Sequence, residues 1–103
     1  MTDSTSRIVR QILAVPRGKV SSYRNIALKA GLPNGARQVA RMLHSLSGKL
    51  ALPWHRIIRS DGTIALREGA GKEEQIAMLR AEGVEISNED SATANVDLKR
   101  FGV

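Results

Sequence analysis

Cysteine is missing from all 103 residues. That excludes disulfides, thiolate metal ligands and any thiol nucleophile. Histidine is scarce as well, and His44 and His55 without thiolates do not compose a catalytic zinc site. No metal and no cofactor are expected. No apolar run approaches the roughly 20 residues that cross a bilayer. The opening MTDSTSRIVRQ has neither the basic flank nor the apolar stretch of a signal peptide, so the expected location is cytoplasmic. Aromatic residues are down to Tyr23, Trp54 and Phe101. Acids are nearly missing from residues 1–59, where Asp3 stands alone against 11 lysines and arginines; residues 60–103 carry 9 acids against 5 bases. A basic half joined to an acidic one points to a polyanion partner for the first, with a plain solvated surface as the alternative.

What is present suits one soluble domain over residues 1–103: 42% hydrophobic, 25% charged, no repeats and no low-complexity tract. Asp3 or Ser4 can cap a first helix with Ile8, Val9, Ile12 and Leu13 as its apolar stripe, ended by Pro16 and Gly18. Ser21 or Ser22 can cap a second helix, about 23–29, buried through Ile26, Ala27 and Ala30. Gly31 and Leu32-Pro33 break it. Asn34 then caps a third helix, about 35–47, with Ala36, Val39, Ala40, Leu43 and Leu46 inward and Arg37, Arg41 and His44 outward. Two short helices about a Gly/Pro turn, the second bearing arginines, form a helix-turn-helix pattern.

IIRSDGTIALR reads as a β-hairpin wing turning at Ser-Asp-Gly. A helix over 72–82 follows, with Ile76, Met78 and Leu79 inward. Residues 87–95 look flexible, and the last residues can dock back through Val96, Leu98 and Phe101. The expected fold is mostly α with a small β-wing, a winged helix-turn-helix.

Several residues carry two readings. Arg37 and Arg41 are either solvated helix arginines or phosphate contacts near a helix N-terminus, where small Ala36 allows close approach. Tyr23 is either a half-buried ring with a wet hydroxyl or a nucleotide contact behind Ser22. Trp54, the only tryptophan, lies in the core or, given its polar neighbours and rigid Pro53, lines a site. His55 and Glu82 can form an acid/base relay, but no nucleophile accompanies them and a structural pair is preferred. Arg67, at the tip of the wing, is solvated or reaches into a cleft.

IVRQILAVPRGKVSSYRNIA (8–27), GLPNGARQVARML (31–43), LPWHRIIRSDGTI (52–64) and KEEQIAMLRAEGV (72–84) together resemble the DNA-binding domain of O6-alkylguanine-DNA alkyltransferases. They resemble the alkyltransferase-like branch more closely. Alkyltransferases carry Pro-Cys-His-Arg, whose cysteine accepts the alkyl group; here Pro53-Trp54-His55-Arg56 stands in that place. In that resemblance the family's hinge asparagine falls at Leu46, and its additional N-terminal domain is expected to be missing. The resemblance implies a non-enzymatic sensor. It flips O6-alkylguanine out of duplex DNA through the minor groove and flags the lesion for nucleotide excision repair proteins, without alkyl transfer. It also implies a monomer, nucleoid-associated in the cytoplasm, with no membrane partner.

On the same grounds, Ser22, Tyr23, Ala36, Arg37 and Arg41 bind DNA. Arg37 fills the vacated stack and Tyr23 crowds the 3′ phosphate. Tyr23, Pro53, Trp54, Ile57 and Arg67 form the lesion pocket. Backbone carbonyls at Trp54 and Ile57 read the guanine amino group, and Arg67 touches the flipped base. The competing expectations are a sequence-specific winged-helix transcription regulator and a hydrolase or glycosylase using His55 and Glu82.

Overall fold

Thr2 opens the part of the chain that the computed structural model describes, residues 2–103. Its side chain accepts the Thr5 N–H and caps α1 (Asp3–Leu13), so the cap falls just before the expected Asp3 or Ser4. Asp3 sits instead in the first turn, where a carboxylate meets the positive end of the helix dipole. Ile8 and Ile12 are fully buried, but Leu13 is exposed, so the stripe is narrower than its apolar spelling. The chain then reaches β1 (Ser21–Ser22) and α2 (Tyr23–Lys29), which Ser22 caps by accepting the Asn25 N–H. Ile26, Ala27 and Ala30 are buried.

α3 (Ala36–Leu50) extends a turn beyond the expected end. Its N-cap is Gly35 rather than Asn34, with no side-chain bond. A Cβ at Gly35 would lie 2.8 Å from Leu32 Cβ and 3.0 Å from Leu32 O, so the tight turn between α2 and α3 requires glycine. α3 buries Val39, Met42 and Leu43, while Ala40 faces outward with Arg37, Arg41 and His44. α2 packs on α3, and α1 on α2.

Pro53, at φ −76° and ψ 63°, makes an inverse γ-turn in which the Trp54 N–H donates to Leu52 O over 2.8 Å. A 3₁₀ turn, Trp54–Arg56, leads into β2 (Ile57–Ile58). β2 does not form a hairpin with the segment after the turn. It pairs in parallel with β1, Ser21 opposite Ile57 and Ser22 opposite Ile58. Strand side chains alternate between faces, and the two isoleucines therefore feed different cores. Ile57 joins α1, α2 and α3, whereas Ile58 joins Val20, Ile64 and the C-terminal residues.

The turn after β2 does form: Asp61 accepts from the backbone and hydroxyl of Thr63. The segment beyond it bonds to the C-terminal stretch through Ile64 N–H to Ala94 O and Val96 N–H to Gly62 O. Residues 87–95, expected to be flexible, close on themselves through paired Ser87 and Asn95 backbone bonds. α4 (Lys72–Ala81) buries Ile76 and Leu79, with Met78 half-buried. The short α5 (Leu98–Phe101) returns Val96 and Phe101 to the core, and Val103 N–H bonds Val20 O.

Candidate DNA-lesion site

A cavity of about 300 Å³ opens between α2, α3, the 3₁₀ turn and the N-terminus of α4. That volume lies at the small end of the roughly 300–1,000 Å³ typical of small-molecule sites. Trp54 and Tyr23 supply aromatic surface, and Leu43 and Leu66 supply aliphatic surface. Ala40, His44 and Ser47 line it from α3, and Ala70, Gly71 and Glu74 from the opposite side. Gly71 has φ +109°, and a Cβ there would lie 3.0 Å from Leu66 Cδ1, so glycine keeps this wall thin. The indole is half-buried and open to the cavity rather than sealed in the core. Its neighbour His55 meets it edge to face, ring centroids 6.2 Å apart.

Arg37 projects from the first turn of α3, on the same exposed face as the cavity-lining Ala40 and His44. Ala36 is half-buried beside it, and Arg41 is exposed one turn on. Neither arginine has a carboxylate partner among the described residues. Burial raises the Tyr23 phenol pKa, with the positive charge of Arg59 partly opposing the shift. The phenol therefore keeps its proton at neutral pH and is available to donate.

Behind the cavity lies a buried polar knot. Glu82 accepts from Arg56 Nη2 (2.7 Å) and Nε (3.0 Å), and from the Gly18 N–H at 3.2 Å. His55 Nε2 lies 2.8 Å from Glu82 Oε2, so that nitrogen carries the donated proton. The Arg56 guanidinium, and then the His55 bond, hold the Glu82 pKa down to about 2 despite burial. Gln75, 1% accessible, donates from Nε2 to the carbonyls of His55 (3.1 Å) and Ile57 (3.2 Å), fixing the backbone that carries Trp54.

Not every expected residue reaches the site. Ser22 is 8% accessible and its hydroxyl is taken up in capping α2. Ile57 is fully buried in the helical core, and its carbonyl accepts from Gln75. Pro53 is half-buried and shapes the approach without lining the cavity. Arg67 is exposed and lines a separate groove with Arg59, on the far side of Leu66. Conversely, His44, Glu74 and Gln75 were not singled out in the sequence as site residues. His44 was legible only as an exposed residue on the arginine face of α3, and no spacing pattern marks the other two.

The cavity offers apolar, aromatic and hydrogen-bonding surface. It holds no thiol, and the Ser47 hydroxyl donates to Leu43 O rather than to a base. A short helix pair carrying unpaired arginines beside such a cavity has the pattern of a helix-turn-helix DNA-binding protein. Residues 3–84 match the family model described as 6-O-methylguanine DNA methyltransferase, DNA binding domain. The chain is 40% identical over 87 residues to alkyltransferase-like protein 1 of Schizosaccharomyces pombe, spanning 84% of this chain and 81% of that protein. It is 38% identical over 95 residues to the DNA base-flipping protein of Escherichia coli, covering 92% and 70% of the two. The fold superposes on S. pombe Atl1 in complex with damaged DNA containing O6-carboxymethylguanine, with a TM-score of 0.88 at 35% identity over 100% of this chain and 96% of that one. The chain belongs to the O6-alkylguanine-DNA alkyltransferase family, through its DNA-binding domain.

Proposed function

We propose that this protein is a non-enzymatic sensor of O6-alkylguanine. It turns the lesion out of the duplex through the minor groove into the Trp54 cavity and flags the site for nucleotide excision repair. The observation that carries the reading is the half-buried Trp54 lining an open cavity beside the arginine face of α3 in a chain without cysteine. An indole provides apolar surface and one N–H donor but no thiolate, so it can hold an alkylated base without accepting its alkyl group. The base-flipping and damaged-DNA relatives support the same reading.

The energetics suit recognition without chemistry. Extruding a base costs a few kcal/mol, and less where pairing is already damaged. O6-alkylation removes the N1 proton of guanine, so the lesion flips more cheaply than the normal base. Arg37 enters the vacated stack and recovers part of the cost by cation–π contact. Tyr23, a neutral donor, crowds the adjacent phosphate, and Arg41 neutralises another. Arg67, exposed in the groove it shares with Arg59, contacts the duplex beside the cavity. The acting form is a monomer.

The test compares affinity for one duplex with and without a single O6-methylguanine, followed by mass analysis of protein and DNA after long incubation. Tighter lesion binding with both masses unchanged is expected. Equal binding favours a sequence-reading regulator, and a released base or methyl group an enzyme; either result overturns the proposal.

A further inference from the structure

Glu74 is the one acid on the wall of the Trp54 cavity. It stands on the first turn of α4, exposed, and lines the cavity together with Trp54, Leu66 and the α3 residue His44. Among the described residues no lysine, arginine or histidine pairs with it, unlike Glu68, Glu82, Glu85 and Glu89. The other carboxylates of this region, Glu68 and Glu73, line other grooves. A carboxylate left unpaired on the wall of a small, largely apolar cavity meets whatever substituent a bound base carries into it. Coulomb interaction between charges about 6 Å apart at an effective dielectric near 40 amounts to roughly a tenfold change in affinity.

We propose that Glu74 is a specificity-determining residue. It makes the cavity disfavour O6 substituents that carry negative charge, and favour neutral ones and those that present a hydrogen-bond donor. This rests on the lesion-sensor reading above and adds the chemical class of adduct. A carboxymethyl group brings a second carboxylate into the cavity, where His44 is the only lining cation-forming group. A hydroxyethyl group can donate to Glu74, and a methyl group offers it neither a charge nor a donor.

The experiment measures the affinities of four otherwise identical duplexes carrying guanine, O6-methylguanine, O6-(2-hydroxyethyl)guanine and O6-carboxymethylguanine. They are titrated with the wild-type chain, Glu74→Gln and Glu68→Gln. Both substitutions remove one negative charge from an exposed side chain, but Glu68 lies outside the Trp54 cavity. The wild-type chain is expected to bind the carboxymethyl duplex about 3- to 10-fold more weakly than the methyl duplex. Glu74→Gln should close most of that gap, whereas Glu68→Gln should shift all four affinities together. A carboxymethyl-to-methyl ratio unchanged by Glu74→Gln, or changed equally by Glu68→Gln, overturns the inference and leaves the sensor reading standing. Equal binding of all four duplexes by the wild-type chain overturns both.

Discussion

At the scale of single residues, the proposed function turns on the indole of Trp54 in the cavity wall. Trp54 is held on a stiff support: the Pro53 γ-turn precedes it, and Gln75 bridges the carbonyls of His55 and Ile57 behind it. Such a wall rewards added hydrocarbon by about 0.8 kcal/mol per buried methylene, roughly fourfold in affinity. Affinity along a series of duplexes with O6-methyl, ethyl and propyl guanine should therefore rise with chain length. Trp54→Ala is expected to flatten the series while leaving binding to undamaged duplex nearly unchanged. A series that keeps its slope in Trp54→Ala would remove the indole from the cavity wall. The tryptophan's place was legible from its polar neighbours and from the family pattern. Glu74 and His44 were missed as site residues because they line one cavity from elements far apart in the chain, which no local spacing encodes.

At the scale of elements, Glu82 joins parts that are distant in sequence. It ends α4, grips Arg56 and His55 of the 3₁₀ turn, and receives the Gly18 N–H from the loop after α1. Its pKa is about 2 folded against 4.5 as a free side chain. Because the folded value is the lower, the ionised pair stabilises the fold above the unfolded pKa. That contribution is lost as pH falls from about 4.5 towards 2. It amounts to about 3 kcal/mol. Urea midpoints measured between pH 7 and pH 2.5 should fall steeply across that window for the wild-type chain and more gently for Glu82→Gln, which starts less stable. Parallel acid profiles would contradict this account of the knot.

The elements also mark where sequence reading works. Caps and apolar periodicity, being local, placed α2, α3 and α4 to within a few residues. The hairpin failed because β propensity marks Ile57 and Ile58 as extended without naming a partner, and the partner, Ser21–Ser22, lies far back in the chain. Residues 87–95 look flexible by composition. Backbone bonds between Ser87 and Asn95 nonetheless close the segment, which composition does not carry.

At the scale of the whole molecule, a two-residue parallel sheet seams two cores. One carries the arginine-bearing helix pair, and the other carries α4 and the C-terminal turn. The cavity lies between α2, α3 and the 3₁₀ turn on its aromatic side and, on its Glu74 side, the first turn of α4 with the connecting residues Leu66, Ala70 and Gly71. The charge asymmetry follows the same division, with the bases gathered on the half that bears α3. No described helix is long and apolar enough to cross a membrane. Trp54 is the only tryptophan in the chain, so its fluorescence reports on this one place. The most direct measurement follows Trp54 emission while the protein is titrated with O6-methylguanine duplex and with its undamaged counterpart, a labelled strand reporting binding independently. A base entering the cavity should change the emission saturably, at one duplex per protein, with the lesion and far less with the undamaged duplex at equal occupancy. Emission that stays constant while the labelled lesion duplex binds to saturation would show that the base never reaches the indole, contradicting the account.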